Sequence, residues 1–145
     1  MLDRSTAQPD HGAFLDTLAR ADAAGLKALA EAILPSLGAV EVIQSRTGLV
    51  MLPMRDTVKG TDFHLGEVLV SEAHIRADGA EGYGMIVGRD LEQAMAMALV
   101  DAAGAAGLAG PDIAAFVQTE ARRIAARDEA RLRDVEATRV EMETF

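Results

Sequence analysis

The stretch Asp78-Gly79-Ala80-Glu81-Gly82-Tyr83-Gly84-Met85-Ile86-Val87-Gly88-Arg89-Asp90-Leu91-Glu92-Gln93 decides the fold. Asp-Gly is the dipeptide that a tight hairpin turn requires, because both central residues adopt positive φ. It leads into a short strand over 82–87. Gly88-Arg89-Asp90 then ends the sheet. Asp90, with Gln93 three residues on, has the spacing of a capping box and opens a helix. A hairpin followed directly by a helix points to an antiparallel sheet with helices segregated from it, the α+β class.

Upstream of this stretch, Phe63 to Arg76 reads as extended, with a break at Gly66. Leu69, Ala73 and Ile75 would share one face, and Glu72, His74 and Arg76 the other. Val40, Val42 and Ile43 form an earlier strand, Thr47-Gly48 reads as a turn, and Leu49-Val50-Met51-Leu52 as the next strand. Pro53 sits at its end, which keeps that end out of mid-sheet. Arg55 to Asp62 is a polar loop containing Gly60. Nearer the N-terminus, Asp10 caps a helix carrying Phe14, Leu15 and Leu18. Asp22 caps a second with Leu26, Leu29, Ile33 and Leu34 at helical spacing, stopped by Pro35 and Gly38. The two read as a short helical hairpin.

Downstream, the helix opened by Asp90 runs from Leu91 to about Leu108 and is apolar nearly all round from Ala94 to Val100, so it is expected to be buried. Gly110 and Pro111 end it, and Asp112 caps the last helix. Gly104 and Gly107 are spaced to let another helix approach closely. From Arg127 onward the last helix is mostly charged, with favourable Glu129–Arg133 and Asp128–Arg131 pairs. Only Leu132, Val135, Val140 and Met142 form a thin apolar seam, as in an arm that meets a partner chain or, in a chain on its own, a frayed tail. The expected architecture is therefore α+β: an N-terminal helical hairpin, a small central antiparallel sheet of three to four strands, a buried helix and a long charged C-terminal helix. Its parts are a disordered N-terminus over 1–9, a core domain over 10–126 and a helical arm over 127–145.

Composition narrows the function classes. The chain has 145 residues, half of them apolar and 26% charged, the balance of one globular domain. Fourteen basic against 23 acidic residues give a net charge of −9, which disfavours nucleic acid and anionic membranes as partners. No cysteine is present, so disulfides, thiolate nucleophiles and cysteine-held clusters are excluded. The longest weakly charged stretch, 94–109, falls short of the roughly 20 apolar residues of a membrane span. The N-terminus lacks a basic-then-apolar leader pattern, so a soluble, cytoplasmic protein is expected.

Candidate chemistry is sparse. His64 and His74, ten residues apart on one continuous strand, would lie roughly 33 Å apart at about 3.3 Å per residue. They could not share a metal within one chain. No serine sits in a nucleophile elbow, and there is no P-loop. Gly82 to Gly88 resembles a dinucleotide fingerprint but has the wrong spacing. What survives is Gly88 in a tight turn with Arg89 beside a helix N-terminus, a combination that can hold an anion, with Asp90 and Tyr83 nearby in sequence. Asp101 is conspicuous on so apolar a helix. A buried carboxylate needs a partner, with Arg89 or another arginine available, unless it faces a solvated stripe. Glu67, after Leu65-Gly66, could bond backbone amides. Both carboxylates read as structural before catalytic. No cofactor or metal site of the chain's own emerges, which suits a subunit or interaction module. A homodimeric small-molecule-binding or regulatory domain is the alternative.

The order Thr47-Gly48-Leu49-Val50, Phe63-His64-Leu65-Gly66-Glu67, Gly82-Tyr83, Gly88-Arg89-Asp90 and Ala98-Leu99-Val100-Asp101-Ala102 resembles the PhnG family, as does the ending Arg139-Val140-Glu141-Met142. This is the G subunit of the bacterial carbon–phosphorus lyase system. The resemblance implies a core assembly with the H, I and J subunits. With H, I and L it implies support for transfer of ribose triphosphate from ATP, a substrate of the assembly, to an alkylphosphonate, with release of adenine. The radical cleavage of the C–P bond is left to the J subunit. Where the family can carry Phe at the position of His64 and Asp at that of Glu67, the histidine is a poor candidate for an obligatory proton donor.

Overall fold

The computed structural model describes residues 10–142, with side chains through residue 139. The segment 1–9, expected to be disordered, and the side chains of Val140 and Met142 in the apolar seam lie outside the described residues. The elements run α1 (His11–Arg20), α2 (Ala23–Leu37), β1 (Val40–Arg55), β2 (Asp62–Ala77), β3 (Ala80–Val87), α3 (Leu91–Ala105) and α4 (Gly110–Met142). The order of helices, sheet and helices is the α+β arrangement the sequence implies.

Both N-terminal helices start at the expected aspartates. The Asp10 carboxylate accepts from the Gly12 N–H at 3.0 Å and that of Asp22 from the Gly25 N–H at 2.9 Å. α2 does not stop at Pro35. It runs on to Leu37, and Gly38 at φ 67° ends it. Proline removes one backbone bond to the preceding turn, a loss borne more easily in a last turn that Leu37, 2% exposed, anchors in the core. The buried seam is Leu26, Ala30, Ile33 and Leu37, whereas Leu34, expected inside, is 43% exposed.

The sheet has three strands in the order β1-β2-β3, all antiparallel. Thr47-Gly48 is not a turn. β1 passes straight through it, pairing Thr47 with Ser71 and Gly48 with Val70. Gly66 likewise does not break β2. A Thr-Gly dipeptide can turn, but here the neighbouring strand continues alongside and the ladder holds both residues extended. The actual turns are Asp56–Gly60, where Gly60 N–H donates to Asp56 O, and Asp78-Gly79, whose φ values are 51° and 74°. Register shifts at Val42/Gln44 and at Leu52/Pro53 mark β1 as an irregular edge.

β3 is half the length of its neighbours. It pairs with β2 only from Val70 to Ala77, so β1 and β2 extend past it as a two-stranded ribbon. On the three-stranded part, Ala73, Ile75, Ala77 and Ile86 are buried beneath α3. The opposite face carries Glu72, His74 and Arg76, as the alternation indicates. Arg46 pairs with Glu72 at 3.2 Å, and Arg76 with Glu81 at 3.0 Å and Glu41 at 3.3 Å.

α3 lies on β3 closer than any side chain allows. A Cβ on Gly82 would meet Ala98 O at 2.0 Å, and one on Gly84 would meet Ala94 O at 2.1 Å. These two glycines, two apart and hence on one face, let the helix rest on bare backbone. The sequence pointed instead to Gly104 and Gly107 for close approach. Gly104 has only Phe14 within 4 Å of a built Cβ, and Gly107 has nothing. Gly107, at φ 75°, belongs to the turn after α3, which ends at Ala105 and not near Leu108. α4 then begins at Gly110, so Pro111 and Asp112 lie in its first turn instead of Asp112 capping it. Further along α4, Asp128 reaches Arg20 of α1 at 2.7 Å rather than Arg131, while Leu132 and Val135 stand 64% and 57% exposed.

Candidate functional site

The turn from β3 into α3 is built around a residue the sequence did not single out. Ser71, fully buried on β2, donates from Oγ to Gly88 O at 2.7 Å and accepts from the Asp90 N–H at 3.0 Å. Gly88, at φ 105°, donates to Leu69 O. The Asp90 carboxylate accepts from the Gln93 N–H at 3.0 Å, which is one half of the expected capping box. The other half is supplied by Ser71 from the sheet, so the helix start is welded to β2. Lys27 of α2 closes the cluster, with Nζ 3.0 Å from Asp90 and 3.7 Å from Glu92. The Gln93 N–H first and Lys27 second hold the Asp90 carboxyl below the usual range, and Asp90 in turn raises Lys27. Arg89 is exposed beside this cluster and makes no hydrogen bond or ion pair with any described residue.

Asp101 sits about 15 Å further along α3, at 1.5 Å per residue. It is 4% exposed, and neither Arg89 nor another arginine is its partner. Oδ1 lies 2.7 Å from His11 Nε2 of α1, and Oδ2 accepts the Tyr83 N–H of the edge strand β3 at 2.9 Å. The pair thus ties α1, α3 and β3 together, with His11 stacked 6.3 Å from Phe14 and its side chain 65% exposed. Tyr83 contributes its backbone here. Its ring sits edge-on to His74, and burial first and Glu72 second push its hydroxyl pKa upward.

The residues named from sequence are therefore not assembled into one site. Gly88, Arg89 and Asp90 share the turn. Asp101 and Tyr83 share the α1–α3–β3 junction. Glu67 stands on the exposed ribbon, within β2 and not at a strand start, and its carboxylate bonds no described residue. Ser71 had a legible signal: it occupies a core-facing position between Leu69 and Ala73, where a hydroxyl must find a partner. His11 and Lys27 had none, since only the packing of α1 and α2 brings them to α3.

Two depressions flank these clusters. An apolar groove of about 840 Å³ lies between α1 and the α3–α4 junction, lined by Ala13, Phe14, Thr17, Leu108 and Ile113. A smaller one of about 380 Å³ runs between α2 and α3 beside Lys27, Leu34, Leu91 and Met95. Among the described residues no group of three or more potential ligands is placed to hold a metal ion, and no helix is long and apolar enough to cross a membrane.

A family described as phosphonate metabolism protein PhnG matches residues 11–145. The alpha-D-ribose 1-methylphosphonate 5-triphosphate synthase subunit PhnG of Rhizobium meliloti is 32% identical over 144 residues, covering 99% of this chain and 91% of the relative.

Proposed function

The chain belongs to the PhnG family of phosphonate metabolism proteins, and on that premise we propose that it is a subunit of a ribose 1-methylphosphonate 5-triphosphate synthase that does not act alone. The assembly would take ATP and an alkylphosphonate as substrates. A phosphonate oxygen forms the new bond to the anomeric carbon of the ribose, the glycosidic bond breaks, and adenine leaves. The partners in this reading are the H, I and L subunits, with J joining the same core for the later cleavage of the C–P bond, all in the cytoplasm. ATP is then a substrate of the assembly and not a cofactor held by this chain.

The observation that carries the reading is the whole-length relative named as a synthase subunit. The geometry supports it. Asp101 and Asp90, the carboxylates best placed for chemistry, are engaged in holding α3 to its neighbours. Exposed Arg89 is the residue left to meet an anionic group or a partner loop.

The test is to co-express the chain with the other subunits, purify through a tag on this chain, and assay adenine release from ATP with methylphosphonate. Stoichiometric co-purification and adenine release that needs this chain are expected. Turnover by the chain alone would end the reading. Arg89→Ala is expected to lower adenine release or assembly, and unchanged values for both would remove Arg89 from the site. The groove beside Phe14 favours the second reading, a homodimeric binding or regulatory domain. A clean homodimer indifferent to the other subunits would support it.

A further inference from the structure

Where β1 and β2 extend past β3, their side chains depart from the one-face-in pattern. The register Leu49↔Leu69, Val50↔Val68, Met51↔Glu67, Leu52↔Gly66 and Met54↔Phe63 assigns the two faces. Leu49, Met51, Met54, Phe63 and Leu65, with Glu67 as the one charged residue among them, continue the face that α3 covers further down. Val50, Leu52 and Val68 lie on the other. Strands apolar on both faces are those buried on both faces. Here most of them are bare: Leu49 is 62% exposed, Met51 55%, Leu65 61%, Phe63 45%, Leu52 41% and Val50 39%, while Val68, next to the three-stranded part, is half-buried.

The amount of surface decides what this means. A monomer leaves contiguous apolar patches of a few hundred Å². With Met54 at 43% and Val58 at the tip at 88%, eight large apolar residues expose roughly several hundred Å² over the two faces and the tip together, of the order of the ~800 Å² that one partner gives to a standard interface. A two-stranded ribbon on its own is also only marginally stable in water.

We propose that this ribbon, residues 48–69, inserts between two apolar walls of an unlike subunit of the synthase, a proposal that rests on the subunit reading above. A second copy is the poorer occupant. Two ribbons related by a two-fold axis cover one face of each and leave the other bare. The groove beside Phe14, at about 840 Å³, is too small for a ribbon two strands wide with side chains on both faces. The edges point the same way. β1 is blunted by Pro53 and two register shifts, and the Tyr83 N–H on the outer side of β3 is taken by Asp101. The β2 edge from Asp62 to Val68 has no strand beside it among the described residues, so a wall of the cleft can add a strand there.

The test uses the full chain with the co-expressed synthase subunits, captured through a tag on this chain. One variant alters each face, Leu49→Ser with Leu65→Ser and Val50→Ser with Leu52→Ser. Circular dichroism and thermal melting of the chain alone report folding. A photo-cross-linking residue placed at 49 or at 50 reports what each face touches without altering the core. Each double variant is expected to lower partner capture at least about tenfold while the chain stays folded, with both cross-linkers labelling the same unlike subunit. Capture lost from one face only, or cross-links to a second copy, would overturn the cleft while leaving the subunit reading intact. Failure of the unaltered chain to capture any synthase subunit would instead overturn the subunit reading, and the cleft with it.

Discussion

β1 and β2 are two strands with two lives. Below Gly48 and Val70 one of their faces lies under α3 and the other carries a lattice of ion pairs. Above that point the same strands are largely apolar on both faces, and among the described residues neither face is covered. Backbone pairing is continuous across the boundary, so hydrogen bonding does not distinguish the halves. What changes is that β3 and α3 end. The lower half is a finished core. The upper half is patterned for burial that the described residues do not supply.

The sharpest way to break the comparison is to place the same side chain on a glycine in each half. Gly84→Val drives a branched side chain into Ala94 O and must lift α3 off the sheet. A loss of more than about 3 kcal/mol is expected from urea unfolding, since overpacking against backbone cannot relax through a rotamer. Gly66→Val, in the ribbon, meets nothing within 4 Å, and its midpoint should move by no more than about 0.5 kcal/mol. Equal effects would mean the halves are not separate.

Next in size is Asp101→Ala, which strands the Tyr83 N–H and His11 at once. It should cost about 1–3 kcal/mol, the range for orphaning one buried group, here the amide, since the His11 side chain is 65% exposed and meets water. Asp101→Asn keeps an acceptor for the amide and should lose less than half as much. Similar losses for both would show that hydrogen bonding is not what Asp101 contributes. Ser71→Ala removes the two side-chain bonds joining β2 to the start of α3 and leaves the Gly88 N–H to Leu69 O bond, and about 1–2 kcal/mol is expected from the same unfolding curves.

The smallest effect is pH-dependent. The Asp90 carboxyl titrates below its ordinary value near ~3.9. Its contribution is therefore present above that value and is lost as pH falls through the lowered one. Asp90→Asn keeps a capping oxygen but drops the pairing with Lys27, so its midpoint should sit slightly below that of the unaltered chain at neutral pH. The gap should close on acidification. A gap unchanged at pH ~3 would rule out the carboxylate charge as its source.

Much of this molecule was legible before its structure. The caps Asp10, Asp22 and Asp90, the Asp78-Gly79 turn and the Glu72-His74-Arg76 face are local features, and local chemistry fixes them. The departures from local expectation have a common cause too. Thr47-Gly48 and Gly66 carry turn-like composition, yet strands pairing alongside hold them extended. Gly82 and Gly84 carry a fingerprint-like pattern, yet their role is set by a helix that crosses them. The candidate site was legible only in part. Asp101 and the Gly88 turn stand out, but the partners of Asp101 are His11 and the Tyr83 N–H and no arginine, because sequence distance says nothing about which side of α3 faces which helix.

Hydrophobic period, caps and turn dipeptides act over a few residues, so the chain alone determined the α+β class, the order of its elements and the unusual carboxylate on an apolar helix. Which groups satisfy that carboxylate, which glycines admit the helix and where the sheet runs out of cover were decided only when distant elements packed. Each depends on ångström-scale distances between segments that the covalent chain leaves free until the core closes.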